Sequence, residues 1–290
     1  MLKIAQDLIY PISNLWNEES NRGERIRRLS IFVGWQLWKR IIRRPITVAL
    51  FNGKRFIAYP DCAVSSGVLY TRIPNSRNIL FLRKHVSGGT LIDVGANVGS
   101  VSLLLADAIE SAILFEPNPV AAARARENLT LNRLAFKVYE FALSDTNGKI
   151  RFECHGAVDS GGHVVVVGAS SGQTATLMVE CITFDEFLCQ HGAPDFPVSL
   201  VKIDVEGHEN SVLRGMQRFL AEKRPPVMFE YLQRTNLEET IRFFTEVGYQ
   251  VFELRAKGPV AVTDRVEPLQ DLFAFPLERV AAIGVGSATS

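Results

Sequence analysis

The chain has 290 residues, 47% of them hydrophobic and 22% charged, with 32 Lys and Arg against 31 Asp and Glu and a net charge of +1. That composition suits a globular protein with enough apolar material for a large core, read as one main domain with an N-terminal extension. Near neutrality removes the global field that draws nucleic acid, and Cys62, Cys154, Cys181 and Cys189 show neither zinc spacing nor the density of a disulfide scaffold, so reduced thiols and a cytoplasmic setting are expected.

Residues 1–87 read as the extension. Its opening, MLKIAQDLIYPISNLWNEES, is interrupted by polar residues throughout and offers no signal-peptide core. From Arg25 to Arg44, RIRRLSIFVGWQLWKRIIRR sets a short apolar stretch with Trp35 and Trp38 among Arg25, Arg27, Arg28, Lys39, Arg40, Arg43 and Arg44. The apolar part falls far short of the ~18 residues needed to cross a bilayer. Two readings stand: a helix packed on the main domain or on a homodimer partner through Ile31, Trp35 and Trp38, or a peripheral contact with an anionic inner membrane surface. ITVALFNGKRFIAYP then predicts a hairpin over 46–60, turning at Asn52-Gly53. After a loop, Ile79 to Val86 reads as the end of a lead-in helix, stopped by Gly88 and Gly89.

Residues 88–277 form the main domain. Apolar strands alternate there with helical patterns: LIDVG with a helix through Leu105, AILFE with one through Leu131, VYEFAL, SLVKID with one through Leu220, and PVMFEYL with one through Glu246. This rhythm predicts an α/β, Rossmann-like fold with a mostly parallel twisted sheet and helices on both faces. YQVFEL and LFAFP follow with no helix between them, so they are expected to pair as an antiparallel edge. A β-rich insertion over 146–183, with KIRFEC, HVVVVG and TLMVECITF, breaks the rhythm. Loops beyond the carboxyl ends of parallel strands are where ligands sit, which makes Asp159, Ser160, Gly161, Gly162 and His163 a candidate substrate lip, with a plain turn as the alternative. Residues 278–290 are the tail, of which IGVGSATS is expected to be disordered.

Three clusters carry chemistry. In LIDVGANVGS an apolar strand ends at Asp93 and is followed by Gly95, Asn97 and Gly99 before a helix. The dinucleotide fingerprint needs a third glycine that this turn lacks, so the turn need not clasp a pyrophosphate. S-adenosylmethionine has no phosphate; its amino-acid end needs a carboxylate or carbonyl for the ammonium group and backbone N–H groups for the carboxylate. Glu116 lies 23 positions after Asp93 at the tip of the second strand, where an acid can accept both ribose hydroxyls. The same acid would suit NAD, so these two signals leave the nucleotide cofactor open. SLVKIDVEGHENSVLRG delivers Asp204, Glu206, His208 and Glu209 to a strand tip within a few residues. Capping and dipole roles at a helix start are the structural alternative for Glu206 and Glu209.

LIDVGANVG, FEPNP, ALSD and VKIDVEGHE-x-x-VLRG, in this order between Thr90 and Tyr231, resemble the motifs of the FkbM-type methyltransferases. The resemblance implies methyl transfer from S-adenosylmethionine to hydroxyl oxygens of sugars and secondary-metabolite scaffolds. It further implies that Asp93, Gly95, Asn97 and Gly99 hold the methionine end, Glu116 the ribose, and Ala142, Leu143 and Ser144 the adenine. It does not extend to residues 1–60 or to the identity of the acceptor.

The expectation is therefore an S-adenosylmethionine-dependent O-methyltransferase acting on a hydroxyl of a sugar, glycolipid or secondary-metabolite acceptor. An NAD-dependent oxidoreductase is disfavoured by the missing glycine and the two closing strands, and a non-catalytic scaffold by the intact Asp93, Gly95, Gly99 and Glu116. Nucleic-acid acceptors demand a basic face that the near-neutral region does not offer. His208 is the expected base, kept neutral at a helix N-terminus. Asp204 orients the acceptor, contacts the cofactor and is the rival base, Glu206 meets the substrate, and Glu230 is the third catalytic residue. Asp204 and Glu230 alone are too few for an octahedral site, so no metal is expected.

Overall fold

A computed structural model describes residues 11–154, 163–164, 175–233, 235–263, 266–267 and 270–284. The helix Arg25–Ile41 is followed by β1 (Ile46–Ala49) and β2 (Arg55–Ala58), paired antiparallel with Val48 opposite Phe56. Two helices, Ala63–Tyr70 and Ser76–His85, lead into β3 (Thr90–Val94). Residues 63–70, read from sequence as loop, are helical because the tertiary contacts order them: Val68, Leu69 and Tyr70 are buried and Trp35 Nε1 donates to Ser66 Oγ at 3.0 Å.

Beyond β3 come β4 (Ser111–Phe115), β5 (Ala135–Tyr139), β6 (Ala142–Leu143), β7 (Gly148–Cys154), β8 (His163–Val164) and β9 (Ala175–Ile182). The last five strands are β10 (Val198–Ile203), β11 (Val227–Tyr231), β12 (Tyr249–Arg255), β13 (Gly258–Ala261) and β14 (Gln270–Pro276). Eight of them form one sheet in the order β13-β12-β14-β11-β10-β3-β4-β5. β11, β10, β3, β4 and β5 run parallel. β14 inserts antiparallel between β11 and β12, and β13 adds a further antiparallel strand outside β12, so the expected antiparallel edge is three strands deep.

The uninterrupted apolar runs are buried on both sides, as a covered parallel sheet requires. Every residue of β3 is buried. Alternate side chains feed two cores: Leu91, Leu200 and Met228 join Phe56 and Leu82 of the N-terminal segments on one face, while Ile92, Val201 and Phe229 meet Leu213, Phe219 and Phe244 on the other. Phe81 packs edge-on against Phe273 at 5.2 Å between ring centres, so the N-terminal segments close one layer of the domain.

VYEFAL, expected as one strand, divides: β5 closes the main sheet and β6 joins β9 in a four-stranded sheet ordered β6-β9-β7-β8. The helix Phe184–His191, also unexpected, returns the chain from this small sheet to β10, its start capped by Thr183, whose hydroxyl accepts from Glu186 N at 3.1 Å. Of the tail, 278–283 continue a 3-10 helix and Ile283 is buried; 285–290 lie outside the described residues. Among the described residues no helix is long and apolar enough to cross a membrane.

Candidate active site

The parallel strands point their carboxyl ends at one edge, where a cleft of about 290 Å³ opens. Its lining joins the turn after β3 (Gly95, Asn97), the tip of β4 (Phe115, Glu116, Pro117, Asn118), the small sheet (Ala142, Leu143, Phe152) and the tips of β10 and β11 (Asp204, Glu206, His208, Glu230). Of the described residues the sequence singled out, Asp93, Gly99, Ser144 and Glu209 stand outside this lining.

Asp93 lies beneath the turn, fully buried, where Oδ2 accepts from Ser102 Oγ at 2.8 Å and Oδ1 pairs with Lys202 Nζ at 3.3 Å. Lys202 is the residue the sequence reading missed. Buried inside β10, its ammonium donates to Gly95 O at 2.7 Å and Val94 O at 3.3 Å, and reaches Asp204 Oδ2 at 3.4 Å. Burial works to lower its pKa, but the carboxylates of Asp204 and Asp93 outweigh burial and raise it, so it stays charged. One buried cation thus ties the glycine turn to both aspartates. Gly95 is required at that junction: at φ +72 it brings the turn against β10 so closely that a Cβ would lie 1.8 Å from Asp204 O.

Glu116 is buried and braces the same turn. Its Oε2 accepts from Asn97 N at 2.8 Å and its Oε1 from Asn118 N at 2.9 Å. Burial raises its pKa to about 7 against these two bonds. Each carboxylate oxygen keeps a second lone pair for a ligand hydroxyl. The Asn118 side chain starts the helix Pro119–Leu131 by accepting from Val120 N at 3.0 Å.

After β10 the chain turns through Asp204-Val205-Glu206-Gly207. Glu206 sits in left-handed backbone at φ 56, a costly conformation for a side chain of its size. Glu209 holds it there: its buried Oε1 accepts from Val205 N at 3.2 Å and Gly207 N at 2.9 Å, while Oε2 takes Thr235 Oγ1 at 3.4 Å. The result is a cluster in which one carboxylate oxygen each from Asp204, Glu206 and Glu230 lies within 4.8 Å of the others. Burial, then the charges of Asp204 and Glu206, push Glu230 up to about 9, and its Oε2 has no hydrogen-bond partner among the described residues. The sequence reading counted two acids here; the left-handed turn adds Glu206 as a third.

His208 Nε2 lies 2.9 Å from Ser144 Oγ, and burial lowers its pKa, favouring the neutral ring. Ser144 is positioned by the helix Glu209–Gly215, whose last residue approaches it so nearly that a Cβ on Gly215 would sit 1.9 Å from Ser144 O. Asp159, Ser160, Gly161 and Gly162 of the candidate lip lie outside the described residues, and His163 is placed only as backbone, in β8 opposite Glu153.

A doubly covered parallel sheet with a tight turn after its central strand, an acid at the next tip and carboxylates beyond defines a Rossmann-like methyltransferase fold. The chain matches the methyltransferase FkbM domain over residues 93–251, more than half its length, and belongs to that family. It is 32% identical over 141 residues to the hexuronic acid methyltransferase AglP of Haloferax volcanii, a match covering 49% of this chain and 55% of that one. To the 2-O-methyltransferase NoeI of Sinorhizobium fredii it is 29% identical over 150 residues, 46% of this chain and 60% of that protein. The matches thus span a little over half the length of these curated relatives. Among solved structures, methyltransferase FkbM from Methylobacillus flagellatus superimposes with a TM-score of 0.42 at 12% identity, covering 88% of this chain and 60% of that one.

Proposed function

We propose that the protein is an S-adenosylmethionine-dependent O-methyltransferase whose acceptor is a hydroxyl of a sugar-containing molecule. The observation that carries this reading is the single cleft in which the Gly95–Asn97 turn and Glu116 stand beside the acid cluster of Asp204, Glu206 and Glu230. Family membership supports methyl transfer; the name of one curated relative, a hexuronic acid methyltransferase, supports a sugar acceptor, and that of the other, a 2-O-methyltransferase, supports oxygen as the target.

The residues fit the cofactor. The backbone of Gly95 and Asn97 would meet its amino-acid end, Glu116 its ribose, and Ala142 and Leu143 its base. Asp93 supports the turn from beneath through Ser102 and Lys202, and Ser144 acts through His208. When bound, S-adenosylmethionine supplies the methyl group, which leaves sulfur as a carbon–oxygen bond forms to the acceptor hydroxyl. The hydroxyl proton passes to Asp204, which is ion-paired with Lys202 and stands in the acid cluster. His208, the base expected from the sequence, becomes the rival, because its Nε2 is engaged by Ser144. Removing a general base costs ~10²–10⁴-fold. Single-turnover rates with labelled cofactor and a glycan-rich extract test the assignment: Asp204→Asn should lose that factor, while His208→Ala keeps more than about a tenth of the rate. The reverse pattern would return the role to His208, and no transfer by the wild type would sink the reading.

We further infer peripheral membrane contact through the helix Arg25–Ile41. Phe32 and Trp35 bury one face, whereas Ile26 (81% exposed), Val33, Leu37 and Ile41 (75%) form an apolar stripe on the other. Residues 25–44 carry the seven cations named above and no acid, the pattern that suits an anionic lipid surface.

A further inference from the structure

A second cleft, of about 380 Å³, adjoins the first and shares Glu230 with it. This volume falls in the range of small-molecule sites, roughly 300–1,000 Å³. Its place follows from topology. β14 runs antiparallel beside β11, with Glu230 opposite Asp271 and Tyr231 opposite Gln270, so the first residues of β14 emerge at the same sheet edge as the tips that carry Asp204 and Glu230. That edge is where open α/β sheets place ligands. The facing wall belongs to the N-terminal segments: Asn75 and Asn78 at the start of the helix Ser76–His85, with Arg77 and Glu19 beside them.

We propose that this second cleft is the acceptor subsite and that it holds a neutral, hydroxyl-rich sugar ring next to the hydroxyl to be methylated. The proposal rests on the methyltransferase reading of the first cleft. Four observations carry it. The two clefts meet at one side chain, so a ligand in the second presents its edge to the acid cluster. Amide, carboxyl and guanidinium groups dominate the lining, with Leu254 its apolar member, a surface that rewards hydroxyls able both to donate and to accept. Among the described residues of the lining, Glu18, Glu19 and Asp271 set three carboxyl groups, beside a Glu230 whose raised pKa keeps its proton, against the guanidinium of Arg77, which disfavours an anionic ligand such as a uronate or a phosphate ester.

The fourth observation is that the wall is pre-formed. Asn75, in left-handed backbone at φ 51, and Asn78 both donate to Asp271 Oδ2, the latter at 2.7 Å. Ser76 Oγ donates to Glu18, and Arg77 Nη2 reaches Glu19 Oε1 at 2.7 Å. Residues near 18, 76 and 271 are thereby held together although they are far apart in sequence. All of them lie outside the 93–251 match.

Saturation-transfer NMR on the full chain, with and without S-adenosylhomocysteine, tests the proposal using methyl glycosides of neutral hexoses and the corresponding methyl hexuronides. The neutral glycosides should give the stronger signals. Asn78→Leu and, independently of any folding defect there, Gln270→Leu should weaken glycoside binding at least about tenfold while calorimetry finds the affinity for S-adenosylhomocysteine unchanged. Equal glycoside binding by wild type and both variants, a preference for hexuronides, or no glycoside signal at all would overturn it. Failure of the wild type to bind S-adenosylhomocysteine would instead overturn the reading of the first cleft, and the glycoside signals would still decide the second.

Discussion

The proposed ribose contact of Glu116 would couple a proton to cofactor binding, and its titration gives the most direct test of the site. Its folded-state pKa, about 7, stands above the ordinary 4.5, with burial as the largest cause. A raised carboxyl value means that the folded protein binds this proton more tightly than the unfolded chain does. Stability is therefore fully present below about pH 4.5 and falls as pH rises through about 7. At ~1.36 kcal/mol for each pH unit between those values, the loss is about 3 kcal/mol. Ribose hydroxyls donating to the carboxylate favour its charged form, so binding S-adenosylhomocysteine below pH 7 should release a proton. Affinity should strengthen by up to about tenfold per pH unit until about pH 7 and then level off. Glu116→Gln keeps the shape but cannot titrate, and it turns an amide N–H₂ toward a backbone donor. It should bind at least about tenfold more weakly with a flatter pH profile. Asp271, raised by burial to about 6, and Glu230, at about 9, titrate in both proteins, so the difference between profiles isolates Glu116. Calorimetry from pH 5.5 to 8.5 in two buffers of different ionisation enthalpy counts the protons. Identical slopes in both proteins, or equal affinities, would refute the reasoning.

Gly215→Ala should cost about 1–3 kcal/mol and several degrees of Tm, because its Cβ would meet the carbonyl of Ser144 at 1.9 Å; an unchanged melting curve would deny that close approach. Exhaustive EDTA treatment should leave methyl transfer intact if Asp204, Glu206 and Glu230 serve the acceptor alone, and a loss rescued by magnesium would make the cluster a metal site. Vesicles rich in phosphatidylglycerol should float the wild type but not Val33→Glu/Leu37→Glu, two exposed changes on the outer stripe. Concentration-dependent dimers that the double variant abolishes, with no flotation of the wild type, would assign the stripe to a second copy of the chain instead.

The centre of the sheet was legible because its strands are apolar runs bounded by turn residues, and period alone places them. Elements whose order comes from partners were not. Ser65, Ser66 and Gly67 dilute any helical pattern over 63–70, and packing under Trp35 overrides that local weakness. The break in VYEFAL follows from pairing: Ala142 and Leu143 leave β5 to join Cys181 and Ile182 of β9, which no local feature announces. The helix over 184–191 did carry a signal, the Thr183 cap three residues before Glu186, hidden within a run read as β-rich.

The same distinction applies within the site. Gly95, Asn97, Glu116, Asp204 and His208 fall in short motifs, and the cleft lines up these motifs at adjacent strand tips. Lys202 had a readable position too: it lies inside β10 two residues before Asp204, which follows the strand's end and which it reaches, and a lysine inside an apolar strand requires a buried partner. Its partners, Asp93 and the carbonyls of Val94 and Gly95, sit more than a hundred positions away. Asp271 illustrates the limit further, since nothing in QDLFAFP suggests that Asn78 waits 193 residues upstream. Sequence motifs report chemistry that one turn can assemble. The wall of the second cleft is assembled by β14 inserting beside β11 and by the N-terminal segments closing over that edge, so it belongs to topology and no single motif announces it.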